Sequence, residues 1–241
     1  MLSKEDYSRF LNSDLNYKIF ESPKFLCSQE CYDLTYALPH DFVFHFLHRD
    51  FTEFEKLLSD KLISSLSKEI CEGAIIRIVD ELKYILSNFV LLTGNKRPIA
   101  SLRVVTPEYL EKEKPSVSQY YHRDSTALTI TKVYFGEGAI YVDNNNVRRE
   151  YFSKNSIQKP NIKDIEILYD PLKIHTVPDG GVLLLKGEVY EDIDSRSRQL
   201  IDMFVSVDEI PDFNRNNGLI HKGGGFVMGS RRLVFTSSTY L

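Results

Sequence analysis

His122-Arg123-Asp124 and, about a hundred residues later, His221 supply two imidazoles and one carboxylate in a chain with 6 histidines. Neutral imidazoles and a carboxylate suit Fe(II). Set on one octahedral face they leave three positions open to other ligands. In an extended segment residues i and i+2 project to the same side. His122 and Asp124 can therefore reach one ion if their run is β-like, and they precede residues 127–135, rich in Thr, Ile and Val. His221 follows the apolar pair Leu219-Ile220. It precedes Gly223-Gly224-Gly225, where the chain can turn closely past a bound ligand.

The rival third ligand is His175. It lies ahead of the Asp179-Gly180-Gly181 turn, with no arginine in the next 15 residues; a β-edge histidine with a locally bonded ring accounts for it. Arg231 and Arg232 come ten and eleven residues after His221. Arginine grips a carboxylate with two parallel hydrogen bonds, which adds a slot for a carboxylate cosubstrate. On a strand only one of the two arginines can point inward. Leu233, Val234 and Phe235 are all apolar, so alternation does not choose between them.

A second His-x-Asp, His48-Arg49-Asp50, sits where helical periodicity begins. On a helix residues two apart point about 200° apart, so these side chains cannot converge on one ion. Asp50 reads as the N-cap of a helix starting at Phe51, and His45 and His48 as partly buried packing residues beside Phe44, Phe46 and Leu47. Cys27 and Cys31 have no second pair, and His40 and His45 are not at finger spacing, so their role reads as structural or incidental.

The elements that must position these residues fall into two halves. Ser3 before Glu5 and Asp6 marks a helix start. Residues 21–40, with Pro23 and Pro39, read as loop with short elements. Phe51, Phe54, Leu57, Leu58, Leu62 and Leu66 recur at helical spacing, and so do Ile75, Ile78, Val79, Leu82, Ile85, Leu86 and Phe89, stopped near Gly94. Strand patterns follow at 99–105, 127–135, 139–142, 162–169, 182–185, 200–207 and 232–237, separated by Gly, Asn and Pro turns, which predicts a sandwich or barrel. Residues 188–217 are the most polar long stretch and read as a solvated insertion, with a lid over the barrel mouth as the alternative. The expected organisation is a helical region, 1–98, packed on the outer face of a β core, 99–241, in one compact domain.

The 241 residues carry a net charge of −4, 42% hydrophobic and 27% charged residues, an ordinary soluble composition. That balance gives no reason to expect nucleic acid or an anionic membrane as partner. No apolar run is long enough to cross a bilayer, the N-terminus lacks a secretory signal pattern, and three cysteines are too few for a disulfide framework. The expected compartment is a reducing cytoplasm.

His122-x-Asp124, then His221, then Arg231 or Arg232, in a β-rich half, resembles the iron and cosubstrate motif of the Fe(II)/2-oxoglutarate-dependent dioxygenase superfamily. The Gly136-Glu137-Gly138-Ala139, Leu184-Leu185-Lys186-Gly187-Glu188, Leu219-Ile220-His221-Lys222 and Arg231-Arg232-Leu233 segments are similar to a bacterial family known only as a domain of unknown function. The resemblance spans roughly residues 99–238. It implies an α+β chain with a double-stranded β-helix (jelly-roll) core, Fe(II) held by His122, Asp124 and His221, and 2-oxoglutarate held by Arg231 or Arg232. It also implies O2 as oxidant and hydroxylation of a small molecule. Many members place Ser two residues after the arginine; this chain has Leu233 or Val234 there, so its cosubstrate pocket differs. An intact Asp124 points to hydroxylation rather than halogenation. The competing readings are a non-catalytic cupin-like metal- or ligand-binding module and a metal-dependent enzyme that does not use 2-oxoglutarate. The substrate and the oligomeric state are not written in the sequence.

Overall fold

The computed structural model describes residues 3–47, 50–67, 70, 72–95, 98–107, 119–152, 158, 161–188, 214, 216–224 and 229–239. The fold mixes helices with antiparallel sheet. Its helices are α1 (Lys4–Leu11), α2 (Ser28–Ala37), α3 (Phe54–Ser65), α4 (Glu72–Thr93) and the short α5 (Asp164–Ile167). The strands are β1 (Tyr17–Glu21), β2 (Val43–Phe46), β3 (Ile99–Val105), β4 (Leu128–Phe135), β5 (Ile140–Val142), β6 (His175–Thr176), β7 (Gly181–Lys186), β8 (Ile220–Lys222) and β9 (Arg232–Thr239). They form a six-stranded sheet, β1-β7-β4-β9-β3-β2, and a three-stranded sheet, β6-β5-β8.

The large sheet has two different faces because its strands alternate. Leu102 and Val104 of β3, Leu128 and Ile130 of β4, Val182 and Leu184 of β7, and Leu233 and Phe235 of β9 share one hydrophobic cluster with Leu82, Leu86 and Phe89 of α4 and Leu34 of α2. On this side Lys132 of β4 forms a buried ion pair with Glu81 of α4, and Ser22 donates to the same carboxylate at 3.2 Å. The opposite face turns toward the small sheet: Leu183 and Leu185 of β7 pack with Ala139, Tyr141 of β5 and Leu219.

Several helix boundaries follow local chemistry. Ser3 accepts from the Asp6 amide, as an N-cap does. Asp50 accepts from the Thr52 amide and opens a 3-10 turn, Phe51–Glu53, that leads into α3. α4 runs to Thr93 and is followed by Gly94 at φ 72°, a conformation that costs glycine little.

Other expectations need correction. The helical half also supplies strands: β1 pairs with β7 and β2 with β3, so both flanks of the large sheet come from the first fifty residues. Within 21–40 lies the ten-residue helix α2. The Ile/Leu-and-charge alternation at 162–169 is not a strand. Glu166 accepts from the Lys163 amide and the Leu168 amide reaches the Asp164 carbonyl at 3.1 Å, closing a helical turn in which Ile167 is buried and Ile165 exposed. His45 is exposed on β2 rather than packed. His48, the strand expected at 200–207 and most of the 188–217 insertion lie outside the described residues.

Candidate metal centre

His122 and Asp124 lie in the extended approach to β4, and His221 lies in β8. Backbone pairing joins them: the His122 amide donates to the His221 carbonyl at 2.8 Å and the His221 amide returns the bond at 2.9 Å. The side chains between and beside the ligands point the other way, as a period of two requires. Tyr121 is buried in a separate cluster with Val142, Phe152 and Ile220, while its amide takes the Gln158 carboxamide oxygen at 3.0 Å. Arg123 donates to the Phe152 carbonyl at 2.6 Å and pairs with Glu188 at 2.8 Å.

His122, Asp124 and His221 present ligand atoms that all lie within 4.8 Å of one another. Each imidazole Nε2 is 3.8 Å from Asp124 Oδ1, and the two rings are 4.2 Å apart. Each Nδ1 faces a backbone carbonyl two residues upstream, Tyr120 at 2.9 Å and Leu219 at 3.2 Å. An N–H donated there leaves Nε2 bare, which is the tautomer a metal needs. Burial, then the neighbouring His221, pushes His122 down to about 3, so this ring is neutral at physiological pH. Burial opposes the charge on Asp124, but His221, His122 and the Thr129 hydroxyl hold its carboxyl below the usual range. Two imidazoles that present Nε2 and one carboxylate form a donor set that fits a divalent first-row ion.

A cavity of about 90 Å³ opens on these three residues and is lined further by Arg103, Thr129, Thr131, Lys222, Arg232 and Thr236. Arg232 is buried in it and donates from Nε to the Glu137 carbonyl at 2.8 Å. Arg231 goes elsewhere. It reaches the Leu38 carbonyl at 3.0 Å at the end of α2 and stacks 5.2 Å over Tyr36. The apolar run after the arginines hides this choice; register decides it. Leu233 and Phe235 belong to the helix-side cluster, which leaves Arg232, Val234 and Thr236 facing the cavity. Burial, then Arg103, brings Arg232 down to about 10, so it remains a cation at neutral pH.

His175 stands apart on β6, the edge of the small sheet. Its Nε2 bonds to Asp143 at 3.0 Å and its ring stacks on Tyr141. Among the described residues it joins no metal-ligand cluster.

Two contributors were given no role in the site from sequence. One is Arg103, a cation in the middle of an apolar strand; that interruption was its available signal. The other is Glu188, 2% exposed, which accepts from Arg123, Arg149 and the amides of Asn216 and Gly218. It joins the segment carrying His122 and Asp124 to the segment entering β8. The Glu188 amide also donates to the Asp124 carbonyl at 2.8 Å. The preceding Gly187 is needed for that closeness: a Cβ there would stand 1.8 Å from the Thr126 carbonyl oxygen. Lys186, next in line, donates to the Leu11 carbonyl at the end of α1 and to the Ser13 carbonyl just beyond it. The Lys186-Gly187-Glu188 run is therefore a clamp rather than a ligand set.

No protein-family model matches the chain, and no curated protein matches it either. Among solved structures it is similar to a dioxygenase for auxin oxidation from rice, at 10% identity and TM-score 0.46, covering 98% of this chain and 77% of that one. It is also similar to the dioxygenase for auxin oxidation 1 of Arabidopsis thaliana in a binary complex with 2-oxoglutarate, at 9% identity and TM-score 0.42, covering 99% and 89%. A third is a full-length Neurospora crassa protein in complex with alpha-KG and 5-formyluracil, at 10% identity and TM-score 0.39, covering 98% and 78%.

Proposed function

We propose that the chain is an Fe(II)- and 2-oxoglutarate-dependent oxygenase that hydroxylates a small molecule. The observation that carries this reading is the convergence, in one cavity, of His122, Asp124, His221 and the inward-facing Arg232. In this reading the two sheets are the two sides of a jelly-roll core with the helical region outside it.

His122 and His221 hold the ion through Nε2, each ring fixed by its Nδ1 bond to the backbone. Asp124 supplies the anionic ligand, its carboxyl held below the usual range against the opposing effect of burial. Arg232 takes the distal carboxylate of 2-oxoglutarate, and its burial strengthens that ion pair by excluding water. When bound, Fe(II) and 2-oxoglutarate supply the oxidising chemistry: O2 is consumed, the cosubstrate leaves as succinate and CO2, and one oxygen atom enters the substrate. The protein's share is positioning and the exclusion of water. Arg231, engaged with the end of α2, has no part in it.

Among the described residues no helix is long and apolar enough to cross a membrane. A reducing cytoplasm is the compartment proposed, one in which Fe(II) persists.

Succinate release in air, with Fe(II), 2-oxoglutarate and a small-molecule library, tests the assignment. Succinate above the metal-free background, raised by particular compounds, is the result expected. Metal binding without succinate under any condition would leave a ligand-binding module in its place.

A further inference from the structure

The proposed oxygenase reading accounts for one cavity arginine and leaves the other unused. Arg103 opposes Val234 in the β3–β9 ladder, while Arg232 opposes Val105. The two arginines are thus diagonal cross-strand neighbours on the same face, and both line the cavity that opens on His122, Asp124 and His221. Side chains so related lie roughly 7–8 Å apart at the backbone, within reach for long side chains, and like charges placed together are unfavourable. Arg103 Nε is buried and has no hydrogen-bond partner among the described residues. An unmade bond of that kind costs stability, more so for a charged group.

The other charges among the described lining residues do not neutralise Arg103. Lys222 also lines the cavity, but it is engaged by Asp164. Asp124 is the sole carboxylate among the described lining residues. A divalent ion, Asp124, doubly charged 2-oxoglutarate and Arg232 together come to zero. Among the described lining residues Arg103 then remains the one cation without a counter-charge, its Nε without a hydrogen-bond partner.

We propose that Arg103 anchors the primary substrate through a carboxylate, so that the substrate is a small monocarboxylic acid. The proposal rests on the oxygenase reading for its charge count. A phosphate monoester, with about −1.5 to −2 charge at neutral pH, would overshoot that count. A neutral substrate would leave the cation and its Nε–H unmatched.

The test uses the full chain loaded with zinc(II) and saturating 2-oxoglutarate, so that no turnover occurs and the Arg232 subsite is filled. Butyrate, butyramide and propyl phosphate are titrated while the arginine Nε–H resonances are followed by NMR; the Arg103 signal is assigned by its loss in R103K. Butyrate should move that signal saturably, and butyramide and propyl phosphate should bind at least tenfold more weakly. R103Q should weaken butyrate at least tenfold while its affinity for 2-oxoglutarate, measured by calorimetry, stays within about twofold. If R103Q loses 2-oxoglutarate as severely as R232Q does, Arg103 belongs to the cosubstrate clamp and the proposal is overturned. It is overturned equally if butyramide or propyl phosphate matches butyrate, or if the Arg103 signal does not move. If the wild-type chain binds zinc(II) but no 2-oxoglutarate, the oxygenase reading has failed instead, and that calorimetric result is separate from the Arg103 signal. The R103K spectra and the wild-type titration keep the question decidable if R103Q does not fold.

Discussion

Replacing Glu188 by Gln changes one atom of a side chain that touches neither the ion nor the cavity, yet the structure assigns it a large effect. The carboxylate is 2% exposed and lies between Arg123 and Arg149, with nitrogen–oxygen distances of 2.8 and 2.9 Å. Gln keeps the shape but removes the charge, leaving two guanidinium groups in a buried site without their counterion. Removing one partner of a buried pair costs about 3–5 kcal/mol. In a chain of 150–250 residues each kcal/mol moves the melting temperature by about 2–4 °C, so the midpoint should fall by roughly 6–20 °C. Glu188 also ties the His122–Asp124 segment to the approach to His221, so divalent-metal affinity should fall roughly tenfold or more, as for other residues that orient ligands. Calorimetric melting of the metal-free protein and a zinc(II) competition titration read the two effects separately. A Glu188→Gln protein that melts within about 2 °C of wild type and binds zinc(II) equally well would refute the clamp.

Three further outcomes are expected. His122→Ala, Asp124→Ala and His221→Ala should each abolish the rise in melting temperature on adding a divalent ion. His175→Ala should retain it, because that ring bonds to Asp143 at the edge of the small sheet. Arg232→Gln should lose 2-oxoglutarate binding measured by calorimetry, whereas Arg231→Gln should keep it and lose about 1 kcal/mol of stability through the end of α2. For the metal-free protein, His122 is pushed down to about 3 in the fold from the ordinary value of 6.5. Between those values the unfolded chain binds a proton that the folded chain refuses, so stability should fall as pH drops from 6.5 toward 3. Denaturant titrations should show a shallower acid slope for His122→Gln over that window.

The strands that meet the site were largely legible because their signals are local. Residues 99–105 are β3 to the residue, and the β-like run and Asp/Gly turn ahead of Leu183 reappear as β4 and β7. The extended reading of His122-x-Asp124 was available from the same alternation, and the cap at Asp50 removed the duplicate motif. Longer-range features were hidden. β1 is five residues of mixed polarity, made a strand by pairing with β7 some 160 residues away, and β2 depends on β3 in the same way. α2 has weak amphipathicity and no Ser, Thr, Asp or Asn cap; Cys27 stands at its N-cap. Register across β9, not composition, decides between Arg231 and Arg232. Glu188 stands where the polar 188–217 stretch begins, and only the fold brings two arginines to it.

Anaerobic titration of the metal-free protein with Fe(II) and 2-oxoglutarate, followed by visible absorption, tests the central assignment most directly. Chelation of the ion by the keto acid within the His122, Asp124 and His221 site should give a weak, saturable charge-transfer band, absent in Asp124→Ala and lost at ordinary cosubstrate concentrations in Arg232→Gln. A wild-type protein that binds Fe(II) but develops no band at saturating 2-oxoglutarate would contradict it.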